Sequence, residues 1–188
     1  DYTNTRHIYW NGGSGDLYVS ALQSLRVPLM GAAPRNNQST VVLRDVAENL
    51  SLVLKTFTTG QAASFNKIQI SDDKVLDIDP VTFSKIDLAE QKGVTSTSLT
   101  GVGLFNSDGE PGKIKVTGSF EEFTSSGLFT GSFVNQLDSY SSDIENLVSQ
   151  IDEYTLVQTI NSENDIEKII GFYNEGIASS KTVNLSID

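Results

Sequence analysis

The apolar residues of this chain change period repeatedly, and the changes divide it into elements. An aromatic patch, His7-Ile8-Tyr9-Trp10, reads as a short strand before the flexible run Asn11-Gly12-Gly13-Ser14-Gly15. Asp16 is placed to cap a helix whose apolar points are Leu17, Val19, Leu22 and Leu25. Gly31 to Thr40, with Pro34 and Asn36-Asn37, reads as a loop. Val46, Leu50, Val53, Leu54 and Phe57 then recur at helical intervals behind Asp45 and Glu48, which have capping-box spacing.

From Asn66 the period falls to two. Ile68 and Ile70 precede Ser71-Asp72-Asp73, and Val75, Leu76 and Ile78 follow, which predicts a hairpin. Asp79-Pro80 is a helix start, with Gly93 as its terminator. Between Val94 and Val134, short β-patterned runs alternate with Gly-rich turns such as Asn106 to Gly112. Ser142 and Glu145 form another capping-box pair, and Ile144, Leu147, Val148, Ile151 and Tyr154 share one helical face. A second helix runs from Ser162 to Tyr173 with Ile166, Ile169 and Ile170, closed by Gly176. Thr182 to Ile187 alternates strictly and predicts a terminal strand.

These elements predict one domain over 1–188 of the α+β class. It is mainly antiparallel β, sandwich or barrel-like, with the β-rich part at 60–135. One or two C-terminal helices occupy 140–175, and a terminal strand occupies 182–187. No internal repeat emerges. A chain of 188 residues buries roughly 70% of its unfolded surface, so it needs no staple.

Composition narrows the chemistry. Twenty-four acids against thirteen Lys and Arg give a net charge of −11, which disfavours nucleic acid and anionic membranes as partners. The absence of cysteine removes zinc-finger, iron–sulfur and thiol-nucleophile chemistry. One histidine, His7, is too few for a transition-metal site. No run approaches the roughly 18 apolar residues of a membrane span. The start at Asp1 instead of Met points to a processed or truncated terminus.

Gly12-Gly13-Ser14-Gly15-Asp16 lacks the Lys of a phosphate loop and the final Gly of a nucleophile elbow, so it reads as a turn. Asp72, Asp73, Asp77 and Asp79 cluster about the predicted turn, and calcium is the cation that suits such oxygen-rich loops. No other cofactor and no catalytic set is indicated. Three Asn-x-Ser sequons, at Asn37, Asn49 and Asn184, are expected in a chain so rich in both residues.

The leading functional expectation is a non-enzymatic structural subunit. It self-assembles as a homo-oligomer with other structural proteins into a virion component, tail tube or surface filament. Val183, Leu185 and Ile187 form its assembly strand. A secreted carbohydrate- or protein-binding module is the first alternative, with Tyr9, Trp10, Phe120, Phe123 and Phe129 as a stacking platform. A carboxylate-based hydrolase is the second. The expected location is a virion or the extracellular surface.

Overall fold

The computed structural model describes residues 15–26, 41–62, 64–93, 103–128, 147–178 and 181–187. They fall into two compact units, residues 1–76 with 85–112 and residues 77–84 with 113–188.

The first unit holds strands β1 (Leu17–Val19), β2 (Val41–Asp45), β3 (Lys67–Ile70) and β5 (Gly103–Phe105), hydrogen-bonded in that order. Helix α1 (Ala21–Arg26) connects β1 to β2, and helices α2 (Ala47–Thr56) and α3 (Thr59–Ala62) connect β2 to β3. Leu43, Ile68, Ile70 and Leu104 from the sheet and Leu50, Val53 and Leu54 from α2 are buried. Phe57 and Phe65 stack with ring centroids 5.8 Å apart.

The second unit orders its strands β4 (Leu76–Ile78), β6 (Ile114–Gly118), β7 (Ile151–Gln158) and β8 (Thr182–Ile187). Helix α4 (Pro80–Gly93) follows β4, α5 (Phe120–Ser125) follows β6, and α6 (Glu163–Ala178) joins β7 to β8. Its core is an aromatic trio. Phe123 lies 4.7 Å from Phe172 and 5.9 Å from Tyr154, centroid to centroid. Each such ring contributes its full apolar area plus about 0.5–1.5 kcal/mol per well-oriented pair.

The registered pairings of both sheets are parallel. This overturns the antiparallel sandwich or barrel and the β-rich segment expected at 60–135, which contains α4 and α5; the architecture is mixed α/β. The reason is connectivity. Parallel neighbours require a crossover, and helices occupy those crossovers. The hairpin expected at 66–79 is also absent, because β3 and β4 belong to different sheets. Ile151 to Tyr154, expected in a helix, open β7 after a short 3₁₀ turn, Leu147–Gln150. The helix expected from Asp16 is instead β1 followed by α1. Gly176 lies within α6, where a Cβ would collide with Val183.

One device recurs at the strand–helix junctions. A helix starts two residues after its strand ends, and its first N–H donates to a side chain at the end of the next parallel strand or just past it. Ala21 N donates to Asp45 Oδ2 at 3.0 Å, Ala47 N to Asp72 Oδ1 at 3.0 Å, and Phe120 N to Gln158 Oε1 at 3.4 Å. Val19 pairs with Leu43, Asp45 with Ile70 and Gly118 with Leu156, so each acceptor lies two residues past the partner of the strand's last residue. The donors are those a helix cannot satisfy internally.

Helix α4 lacks this donor because it opens with Pro80. Gly118 fills the space instead, and a Cβ there would lie 2.6 Å from Pro80 Cδ. Gly118→Ala is therefore expected to destabilise the protein by about 1–3 kcal/mol through overpacking. Adding Pro80→Ala is expected to recover part of that loss. Denaturant unfolding of the two single variants and the double variant measures the coupling, and strict additivity would contradict the contact.

Candidate functional site

The sequence-predicted calcium ligands serve separate structural duties. Asp72 accepts the Ala47 amide and pairs with Lys74 at 3.4 Å. Asp73, in the left-handed region at φ 53°, accepts the Ser107 amide and hydroxyl, both at 2.8 Å. Asp77 accepts the Thr117 hydroxyl at 2.8 Å and lies 3.9 Å from Lys115. Asp79 caps α4, accepting from the Thr82 amide and hydroxyl at 2.7 Å each. Among the described residues, no three His, Cys, Asp or Glu side chains converge to hold a metal ion.

The outer faces of the two sheets treat their cations differently. On the second sheet, Lys115 lies between Glu153 at 3.2 Å and Asp77, and Lys113 meets Asp152 at 3.0 Å. Glu153 also accepts from Asn184 at 2.7 Å, which extends the ladder to β8. On the first sheet, Arg44 lies 5.4 Å over the Tyr18 ring and Lys67 lies 5.4 Å over the Phe105 ring. No carboxylate neutralises these two cations among the described residues. Sequence reasoning missed this cation–aromatic face because its residues become neighbours only through strand register.

The expected assembly strand is an edge strand among the described residues. β8 pairs with β7 over six residues and lies last in its sheet. Leu185 and Ile187 are 39% and 48% exposed, and Val183 is half-buried. Beside them, α6 turns Ile169 and Phe172 inward but leaves Ile166, Ile170 and Tyr173 exposed. The first described strand repeats the theme. β1 lies first in its sheet, with Tyr18 exposed and Leu22 and Leu25 of α1 exposed beside it. Helical spacing marked Leu22, Leu25, Ile166 and Ile170 as apolar points but did not show that they face outward.

Of the aromatic platform, Phe123 is core and Phe120 sits under Lys168 at 5.5 Å. Tyr9, Trp10 and Phe129 lie outside the described residues, as do His7 and the Ser142–Glu145 pair. No described helix is long and apolar enough to cross a membrane. Comparison with protein families, curated proteins and solved structures finds no significant match.

Hydrogen bonding sets the acid response. The Ala47 amide bond holds the Asp72 carboxyl below its ordinary value, and the Ser107 amide bond does the same for Asp73. For Asp45, burial pushes upward, but bonds from Asn49, Val46 and Ala21 outweigh it. Burial raises Glu175, which acts in the opposite sense. A depressed carboxyl stabilises the fold above its unfolded pKa and loses that contribution as pH falls through its folded pKa. Thermal stability is therefore expected to hold down to about pH 4, near the unfolded Asp value, and to drop below it. Asp45→Asn with Asp72→Asn should lower stability near neutral pH and flatten the drop, because asparagine keeps one acceptor oxygen and does not titrate. An acid profile unchanged by this pair would contradict the assignment.

Proposed function

We propose that this protein is a non-enzymatic structural subunit that associates with further copies of itself through the β8 edge, as a building block of a surface filament or virion component. The observation that carries the reading is a strand edge left unpaired among the described residues, whose apolar residues, Leu185 and Ile187, continue the inner row formed by Tyr154 and Leu156 and stay 39% and 48% exposed. Unprotected edges of this kind template pairing with another chain unless charge or proline blunts them. From Thr182 to Ile187 there is neither.

Light scattering on a size-exclusion column tests the reading. The expected result is a mass above the monomer that rises with loading concentration. Leu185→Lys with Ile187→Lys should weaken association by roughly ten-fold or more, as lysine does on natural edges. A monomeric mass at every concentration would contradict the proposal.

The first sheet's outer face favours a second reading, a binding surface for an acidic sugar polymer. Rings stack on sugar faces while Arg44 and Lys67 meet carboxylates. Retention on immobilised polygalacturonate that is lost in Arg44→Gln with Lys67→Gln would support it. Equal retention of the double variant would remove it.

A further inference from the structure

Each sheet has a direction. In the second, the chain climbs β6, crosses α5, climbs β7, crosses α6 and climbs β8, which makes β8 the leaving edge of that sheet among the described residues. In the first, it climbs β1, crosses α1 and climbs β2, so β1 is the edge at which the chain enters. Both sheets are parallel and joined by helical crossovers, which take the right hand almost without exception. A leaving edge and an entering edge are then complementary. A β1 set parallel beside β8 brings its own α1 to the same side of the sheet as α6.

From this we infer, building on the self-assembling reading above, that β8 and α6 of one copy receive β1 and α1 of the next, head to tail. The contact joins two strand edges and two helix stripes, Ile166, Ile170 and Tyr173 on one side and Leu22 and Leu25 on the other. With Tyr18, Leu185 and Ile187, eight large apolar side chains between 39% and 58% exposed would be covered. At typical side-chain areas this is on the order of 700 Å² of apolar surface, before strand backbone and polar rim are added. A stable interface buries about 1,200–2,000 Å² in total, so the apolar side chains supply roughly half of the lower bound and the paired strand backbone and polar rim must supply the rest. Pairing β8 with a second β8 would run antiparallel about a two-fold axis and leave both β1–α1 ends bare. The head-to-tail contact is heterologous, so it generates rings or open filaments where a two-fold contact would stop at a pair.

Two blocked variants test it. Leu22→Glu with Leu25→Glu blocks the entering end, and Ile170→Glu with Tyr173→Glu blocks the leaving end. All four positions are exposed, and thermal melting at the wild-type temperature confirms folding. Should either variant melt early, serine replaces glutamate at the same positions. Each variant alone is expected to lose association by roughly ten-fold or more, the scale of a lost interface anchor. Mixed, they are expected to form a one-to-one dimer and nothing larger, because each retains one competent end. A wild type that grows while the entering-end variant grows equally would overturn the head-to-tail contact and leave the structural reading standing. A mixture that stays monomeric while the wild type grows would do the same. A wild type that is monomeric throughout would remove both.

Discussion

The hydrogen bond from the first amide of a helix to a side chain on the neighbouring strand holds this architecture together. Parallel strands of three to eight residues must be held in register. A slip of one residue would exchange buried and exposed faces. The bonds from Ala21 to Asp45, Ala47 to Asp72 and Phe120 to Gln158 all carry the strand register two residues past the strand end. One interaction thus fixes register, satisfies a donor and starts the helix at a set distance. Each is worth about 1 kcal/mol as a cap, and more where the amide would otherwise be buried without a partner. Helix α4 opens with Pro80, which has no amide N–H to donate, and Pro80 packs closely on Gly118 instead.

A fold made by adding strand–helix pairs in one direction ends in edges. Closed barrels have none, and antiparallel sandwiches commonly cover theirs. Here β1 and β8 each have one strand partner among the described residues, and the helices beside them keep apolar residues in solvent. The acids contribute to structure in this scheme, as helix caps, loop anchors and partners for Lys113 and Lys115.

Local sequence carried more of the elements than of the architecture. Asp79-Pro80 marked α4, helical spacing marked α2 and α6, and strict alternation marked β8. Strand direction is not a local property, so Thr- and Ser-rich alternating runs looked antiparallel. Ser20 with Gln23, Thr58 with Gln61, and Ser119 with Glu122 exchange reciprocal cap bonds and were readable as helix starts. The last of these would have divided the supposed β-rich region. The Asp45–Glu48 spacing, by contrast, forms no box, since Val46 is the N-cap and makes no side-chain cap bond. The recurring junction escaped notice as a repeat because its acceptor changes from Asp to Gln and its separation from the donor ranges from 24 to 38 residues. Outward apolar stripes such as Ile166 and Ile170 share their spacing with the core, and only the arrangement of neighbours separates the two.

Amide hydrogen exchange resolved to single residues tests the central claim most directly. First-turn amides of ordinary helices have no intrahelical acceptor and exchange quickly. If the cross-strand bond holds the fold together, the amides of Ala21, Ala47 and Phe120 exchange as slowly as those of the strands beside them. Rapid exchange at all three, with the strand amides still protected, would show that the register is held by something else.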